Sequence, residues 1–150
     1  MDRLSEIILC PMEEMHLDAV VALEEVSFPR PWKKEHFLQE LSSPHSYPVV
    51  ALEQGRVVGY LCLVSLFEEA QILDVAVAPS VRNRGVARLL IDCAESSARE
   101  KGAEYMALEV RASNHAARSL YEKLGYQQTG IRKLYYENSE DAVLMDKKLS

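Results

Sequence analysis

The strongest indication of the fold is the stretch Arg82-Asn83-Arg84-Gly85-Val86-Ala87-Arg88. It follows an apolar run, Ile72 to Val77, that is typical of a strand, and it opens a helical run, Val86 to Lys101. Backbone amides at the start of a helix, with arginines around them, favour an anion, because the N–H groups point outward and the helix dipole adds positive charge. Gly85 has no Cβ to obstruct a ligand. The segment predicts a phosphate-bearing cofactor, although a basic helix start with a packing glycine has the same composition.

Two familiar nucleotide loops are excluded by the spacing of the glycines. The chain has no GxxxxGKS or GxxxxGKT segment, so a P-loop is unsupported. It has no GxGxxG segment, so a dinucleotide-binding fold is unsupported as well. The anion site must therefore belong to another kind of fold.

Three segments carry a resemblance to a known family. Arg82-x-x-Gly85-x-Ala87 resembles the R/Q-x-x-G-x-G/A signature with which GNAT N-acetyltransferases hold the pyrophosphate of acetyl-CoA, and Leu73 to Pro79 before it is similar to that family's fourth strand and turn. Leu108-Glu109-Val110-Arg111-Ala112-Ser113-Asn114 and Leu120 to Tyr126 are similar to the ribosomal-protein-alanine N-acetyltransferase branch, the RimI type. The resemblance extends over nearly the whole chain.

The resemblance implies a fold and a cosubstrate. The fold is α/β, a mixed central sheet of about seven strands with helices on both faces, in which strands 4 and 5 splay apart and pantetheine lies between them. Residues 1–150 form a single domain, and acetyl-CoA is the cosubstrate with no metal. The residues implied to bind it are Val75, Ala76, Val77, Arg82, Asn83, Arg84, Gly85, Val86, Ala87, Arg88 and Asn114.

The resemblance also implies two catalytic residues. Glu109, near the end of a predicted strand, is the general base, because the attacking nitrogen must lose a proton. Tyr121 is the general acid for the departing thiolate, whose basicity is close to that of a phenol. From the residues alone, Glu109 is equally a solvated strand carboxylate, Tyr121 a core aromatic, and Asn114 a plain helix N-cap.

Weaker candidates for contact with the acceptor are Trp32, Glu69 and Tyr135. Trp32 follows a Phe28-Pro29-Arg30-Pro31 segment where the branch has a shorter F-P-W, and it is either a groove wall or a core anchor. Glu69 either meets the substrate amine or belongs to a polar hairpin rim. The Tyr135-Tyr136 pair resembles tyrosines that grip a peptide backbone, and alternating aromatics are equally ordinary sheet packing.

Composition limits the class of protein. The chain has 150 residues, 48% of them hydrophobic, and is expected to form one domain with a real core. The net charge of −6 argues against direct nucleic-acid binding, and no apolar run or signal peptide indicates a membrane. Three widely spaced cysteines suit neither a disulfide framework nor a zinc site, which favours the cytoplasm.

Periodicity divides the rest of the chain into helices and strands. Helices are expected over 12–26, 32–41, 86–101 and 114–124, and strands over 47–53, 56–66, 71–77, 104–110, 126–136 and 141–148. Gln54-Gly55 predicts a hairpin turn. The apolar faces expected on two of the helices are Met15, Ala19, Val20, Leu23 and Val26 on the first, and Leu89, Leu90, Cys93, Ala94 and Ala98 on the third.

The function that follows is acetyl transfer from acetyl-CoA to the N-terminal α-amine of a protein. By resemblance, the target is the N-terminal alanine of a small-subunit ribosomal protein of the S18 type. An α-amine suits a single carboxylate base, because roughly a tenth of it is neutral at pH 7, against far less of a lysine amine. The alternatives are a GNAT that acetylates a small-molecule amine or lysine, and a non-catalytic CoA-binding module. The sequence leaves the oligomeric state open.

Overall fold

The computed structural model describes residues 6–136 and 139–149. Within them seven strands form one mixed sheet in the order β1-β2-β3-β4-β5-β7-β6. The strands are β1 (Ile7–Pro11), β2 (Val49–Glu53), β3 (Arg56–Leu66), β4 (Glu69–Val77), β5 (Tyr105–Arg111), β6 (Gln127–Tyr136) and β7 (Glu140–Lys148). The helices are α1 (Leu17–Ser27), α2 (Lys34–Ser42), α3 (Val86–Glu100) and α4 (His115–Lys123). In this part of the chain, no helix combines the length and apolar character needed to span a membrane.

Helices cover both faces of the sheet, as expected for an α/β fold. α3 and α4 pack on one face, where Leu90, Ile91 and Tyr121 belong to the larger apolar cluster. α1 and α2 pack on the other face, where Leu17 and Phe37 belong to a second cluster. The sheet therefore separates two apolar cores. An opening through the sheet would connect the α3 and α4 side with the α1 and α2 side.

The sheet opens between β4 and β5, which confirms the predicted splay. The two strands pair in parallel only from Glu69–Tyr105 to Gln71–Ala107, and beyond these residues their ladder ends. On the β3 side, Leu63 lies opposite Ile72 while Cys62 lies opposite Asp74, so Leu73 is an extra residue on β4. Such a β-bulge bends its strand and increases the local twist. The bulge and the opening therefore occur at the same point of β4.

The bulge also exchanges the two faces of β4. Ile72 packs in the cluster under α3, whereas Ala76 packs in the cluster under α1. Residues an even number apart share a face in a regular strand. The extra residue at Leu73 removes that relation, so Asp74 lies on the α1 side, in register with Cys62.

Three expectations about the elements need correction. The sequence analysis predicts no strand at β1, because three half-buried and two exposed residues at the edge of a sheet give a weak alternation signal. α1 begins at Leu17 and buries Leu17, Val20, Leu23 and Glu24, whereas the expected Met15, Ala19 and Val26 are exposed. α3 buries Ile91 and Glu95, whereas the expected Leu89 is exposed. Both helices carry apolar residues on more than one face, so the sequence does not show which face is buried. Packing against the sheet determines it.

Candidate active site

Two adjoining cavities lie at the opening between β4 and β5. The first, of about 320 Å³, lies on the α1 side and is lined by the splayed ends of both strands, by the segment after α1 and by α4. The second, of about 520 Å³, lies against the start of α3. The residues that line both cavities are Ser27, Phe28, Val75, Asn114, Ala117 and Tyr121. The opening therefore joins two compartments, one at each side of Tyr121.

The second cavity brings together nearly all residues that were predicted to hold the cofactor. Ten of them line it: Val75, Ala76, Val77, Arg82, Asn83, Gly85, Val86, Ala87, Arg88 and Asn114. Arg84 does not line this cavity, so its contact with the cofactor stays a prediction. Its guanidinium Nη2 lies 2.7 Å from Glu53 Oε2 at the end of β2, because the left-handed turns around Arg84 direct it toward the sheet edge.

The loop before α3 has the backbone geometry of an anion site. Asn83 and Gly85 have φ angles of 66° and 80°, in the left-handed region. Alternation of left- and right-handed residues directs successive amides into one concavity, and the first amides of a helix have no intrahelical acceptor. Gly85 is the N-cap of α3 and no side chain caps it, and a Cβ built on Gly85 would extend into open space. The loop therefore fits the pyrophosphate group that the sequence predicted here.

Glu109 lies on the α1 side of β5. Its neighbours Leu108 and Val110 are buried under α3, so strand alternation turns Glu109 to the first cavity, which it lines. The carboxylate Oε2 lies 2.8 Å from Nη2 of Arg132 on β6, and the Glu109 side chain is 20% exposed. Glu109 is thus neither fully solvated nor buried, and Arg132 holds it in an orientation toward the opening.

Tyr121 lies where the two cavities meet. It is 6% exposed and its ring packs edge-on against Tyr126, with 5.7 Å between centroids. Among the described residues none donates to or accepts from its hydroxyl within hydrogen-bond distance. Burial, with a smaller contribution from the charge of Asp74, raises the pKa of Tyr121 well above its ordinary value. The phenol therefore stays protonated throughout the physiological pH range and remains a proton donor.

Asn114 has the capping role that the sequence left open, and it also lines both cavities. Its Oδ1 accepts a hydrogen bond of 3.2 Å from the amide of Ala117, so it caps α4. Among the described residues no hydrogen-bond acceptor meets the Nδ2 group of this side chain, which leaves it for a ligand. The two interpretations of Asn114 are compatible.

The three weaker candidates have different positions. Trp32 lines the first cavity and also packs on Phe37, at 5.2 Å between ring centroids, so it is both groove wall and core residue. Glu69 is exposed at the paired end of β4, opposite Tyr105, and lines neither cavity, so its contact with the substrate amine stays a prediction. Tyr135 is 48% exposed and lines neither cavity.

Tyr136 takes the position that was predicted for Tyr135. It lines the first cavity, and burial followed by the charge of Glu109 raises its pKa to about 12. β6 is irregular between Arg132 and Tyr136, and Leu134 there has a φ angle of 48°. This irregularity determines which of the two adjacent tyrosines faces inward.

A buried carboxyl pair, Glu24 and Asp74, was missed by the sequence analysis. Glu24 is 2% exposed, and its carboxylate accepts hydrogen bonds from the Trp32 amide and the Tyr60 hydroxyl. The Asp74 carboxyl is hydrogen-bonded to that of Glu24, and burial followed by this contact raises the pKa of Asp74 to about 9. Both residues line the first cavity. The available signal was the presence of acidic residues inside two apolar segments: Asp74 in Leu73 to Val77, and Asp18, Glu24 and Glu25 in Leu17 to Val26.

Asp74 makes the stability of the protein depend on pH. A carboxyl with a pKa of about 9 in the folded state holds a proton that the unfolded chain releases above about pH 4, so stability falls as pH rises between these values. The substitution Asp74→Asn removes the titrating carboxyl, and the asparagine amide N–H can still donate a hydrogen bond to Glu24. We expect the variant to be more stable than the wild type at pH 8, by on the order of 1–2 kcal/mol or ~2–8 °C in melting temperature. Melting followed by circular dichroism should show the difference vanish near pH 4, and an equal difference at both pH values would contradict the shift.

Comparison with known proteins identifies relatives of this chain. The family described as Acetyltransferase (GNAT) family matches residues 17–126. A protein of Bacillus subtilis (strain 168), whose name provisionally assigns it as a ribosomal protein bS18-alanine N-acetyltransferase, is 39% identical over 86% of this chain and 87% of its own. An N-alpha-acetyltransferase of Saccharolobus solfataricus is 30% identical over 89% and 87% of the two chains.

A solved structure superimposes on this chain over almost the full length of both. The ribosomal-protein-S18-alanine N-acetyltransferase of Escherichia coli superimposes with a TM-score of 0.89 at 27% identity, covering 97% of this chain and 95% of the other. The sheet order, the splayed strands and the helices on both faces therefore have a counterpart of known structure.

Proposed function

The chain belongs to the GNAT acetyltransferase family, and we propose that it transfers an acetyl group from acetyl-CoA to the α-amine at the N-terminus of a protein. The observation that carries this proposal is the junction of the two cavities at Tyr121. One compartment ends at an anion-binding loop and suits the cosubstrate. The other contains Glu109 and opens toward the segment after α1, and it suits an acceptor chain.

The cosubstrate supplies the acetyl thioester, and the residues of this chain move the protons. Residues 82–88, apart from the Arg84 side chain, hold the pyrophosphate, and Val75 to Val77 hold the pantetheine. Glu109 accepts a proton from the attacking amine, directly or through water. Tyr121 donates its proton to the departing thiolate. The bond that forms joins nitrogen to the acetyl carbon, and the thioester C–S bond breaks.

The preference for an α-amine follows from the single carboxylate base and from the relatives. At neutral pH an α-amine, with a pKa of about 7.7–8.0, is partly neutral without help, whereas a lysine amine is almost wholly charged. The names of the relatives from Bacillus subtilis and Escherichia coli specify an alanine of ribosomal protein S18. We extend that target, an N-terminal alanine of a ribosomal protein, to this chain. We also propose that the chain acts in the cytoplasm, where ribosomal proteins are made, and that it forms a single catalytic domain.

Mass spectrometry of a peptide panel tests the proposed function. Hexapeptides beginning with alanine, serine, methionine or glutamate are incubated with the enzyme and acetyl-CoA, together with an N-terminally blocked peptide that carries an internal lysine. We expect acetylation at the α-amine of the alanine peptide and no change in the blocked peptide. Acetylation of the blocked peptide alone would indicate a lysine acetyltransferase, and no acetylation of any peptide would contradict the proposed acceptor.

Gly85→Val is expected to weaken CoA binding about tenfold to a hundredfold, since charge-assisted hydrogen bonds contribute ~1.5–3 kcal/mol each. The added side chain extends from the anion loop into the space that the pyrophosphate needs. Gly85 has a φ of 80°, so a branched residue also strains the backbone. Gly102→Val is the matched control, because Gly102 has a φ of 91° and equally open surroundings at the other end of α3. Calorimetry should show normal CoA affinity in the control, and equal affinities in both variants would exclude the loop as the site.

A further inference from the structure

The carboxylate of Glu109 is held at one of its two oxygens. Oε2 lies 2.8 Å from Nη2 of Arg132, and no other lysine, arginine or histidine of the described residues lies within ion-pair distance of Glu109. Among the same residues, no donor lies within hydrogen-bond distance of Oε1. The buried side-chain atoms without a partner there are Ser65 Oγ and Asp74 Oδ2, so Oε1 of Glu109 is accessible to solvent. The ion pair thus fixes one oxygen and leaves the other to accept a proton.

The ion pair reaches across a whole strand. Ala142 on β7 lies opposite Arg111 on β5 and opposite Arg132 on β6, so these residues form one row across the sheet. Directly opposed residues share a face, and Arg111, two residues after Glu109, lines the first cavity as Glu109 does. The side chain of Arg132 therefore lies on the face of Glu109. Two strand spacings amount to roughly 10 Å, so a short side chain at position 132 could not reach Glu109.

The surroundings of the row reserve Arg132 for Glu109. Arg111, the other arginine of the row, pairs with Glu140 at 3.3 Å and lies over the Tyr136 ring. The guanidinium carbon of Arg132 lies 4.6 Å from the centre of the Tyr135 ring. The face of an aromatic ring attracts a guanidinium, and stacking on it limits how the group can turn. Tyr135 lines neither cavity, and its contact with Arg132 connects it to the acceptor site.

We propose that Arg132 is a positioning residue for acetyl transfer: held over the Tyr135 ring, it fixes Oε2 of Glu109 and presents Oε1 to the attacking amine. This inference rests on the proposed function. An N–H bond of the amine breaks, and its proton binds Oε1, directly or through water. Arg132 itself moves no proton, because a guanidinium stays protonated in proteins. A glutamate side chain is flexible, and a misplacement of about 1 Å at a reacting group costs on the order of 10²-fold in rate.

Arg132→Met tests the role by removing the charge while keeping much of the apolar stem. We expect turnover of the alanine peptide to fall about tenfold to a hundredfold. The loss should appear in kcat and not in KM for the peptide, because the oriented group acts in the transition state. CoA affinity should be unchanged, since Arg132 lines neither cavity. The melting temperature should change little, because Arg132 is 52% exposed and surface substitutions have small effects.

Lys133→Met is the matched control for the kinetic measurement. It removes a cation from the next residue of β6, where Lys133 is 80% exposed and lies 3.6 Å from Asp141. This variant should keep the turnover of the wild type. The role of Arg132 would be overturned by an equal loss in both variants, or by a loss of less than about threefold in Arg132→Met, far below the cost of misplacement. A rise in KM alone would assign Arg132 to peptide binding, and failure of Arg132→Met to fold would assign it to structure, and either result would also overturn the role.

A double variant separates positioning from an independent role of Arg132. In Glu109→Gln the base is absent, so Arg132 has no carboxylate to orient. We expect Arg132→Met to lower the residual turnover of Glu109→Gln by less than about threefold, although it costs about tenfold or more in the wild type. The full additional loss in the double variant would show that Arg132 acts without Glu109, which contradicts the inference.

Guanidinium ion provides a readout that a merely structural role would not change. Arg132→Ala leaves space where the guanidinium group of Arg132 lies beside Glu109 and the Tyr135 ring. Guanidinium chloride, at concentrations too low to unfold the protein, should raise the turnover of Arg132→Ala severalfold. Urea, which is planar but neutral, should have no such effect. An equal effect of the two additives on this variant, or an equal effect of guanidinium on the wild type, would overturn the inference.

The two proposals fail in distinguishable ways. If the wild type acetylates the alanine peptide and Arg132→Met does so at a similar rate, the proposed function stands and the role of Arg132 is excluded. If the wild type acetylates no N-terminal peptide, both are excluded together.

Discussion

Glu109→Gln is expected to lower turnover about 10²–10⁴-fold, the usual contribution of a general base. Glutamine has the shape of glutamate and keeps a hydrogen-bond acceptor for Arg132, which lies 2.8 Å from the carboxylate. It cannot accept the proton that the amine must lose. CoA affinity should stay unchanged, because Glu109 lines the first cavity and not the second. Steady-state kinetics with the alanine peptide, together with CoA calorimetry, provides the measurement.

Glu122→Gln makes the same change on the exposed side of α4, outside both cavities, and should leave turnover intact. A fall of less than about threefold in Glu109→Gln, far below the range for a general base, would assign proton removal to another group. A fall of equal size in both variants would indicate a general effect of lost negative charge.

Tyr121→Phe should lower turnover about 10²-fold or more, within the range for a general acid, while the melting temperature changes little. The hydroxyl has no hydrogen-bond partner in the part of the chain that the structure describes, so phenylalanine keeps the packing of the ring against Tyr126. Its loss removes the proton that the leaving thiolate needs. Because burial keeps the phenol protonated, the defect should persist across neutral and mildly alkaline pH.

Tyr126→Phe is the control with the opposite expectation. The Tyr126 hydroxyl donates a 2.8 Å hydrogen bond to Glu95 Oε2 in the core under α3, so its removal should cost about 1.5–3 kcal/mol of stability. Turnover per folded molecule should be normal. Normal turnover in Tyr121→Phe would show that the ring only packs, and a large stability loss there would show that the hydroxyl has a structural role.

Local patterns were sufficient for much of the fold. β3 runs from Arg56 to Leu66 as predicted, and Gln54-Gly55 forms the turn before it, with both φ angles positive. α3 starts at Val86 as predicted. These features depend on neighbours in the chain: apolar alternation, a glycine that permits a left-handed turn, and a helix start after a loop.

The cofactor loop was predictable for the same reason. A backbone anion site is made from consecutive residues, so a short motif contains most of its geometry, and the loop residues apart from Arg84 line one cavity. The Arg84 side chain was not predictable, because its partner Glu53 is 31 residues away in the chain.

The sequence by itself therefore determined the family, the element order and the backbone site before α3. The tertiary structure decided which side chains face the acceptor. Alternation alone would place Asp74 on the same face as Ile72, and only the bulge at Leu73 brings it to Glu24. The irregularity in β6 likewise turns Tyr136, and not Tyr135, into the cavity. In β4 a single inserted residue reverses a two-residue period, whereas β6 has two extra residues between Arg132 and Tyr136 relative to β7. The pairing of neighbouring strands, which no local segment contains, determines where these residues are accommodated.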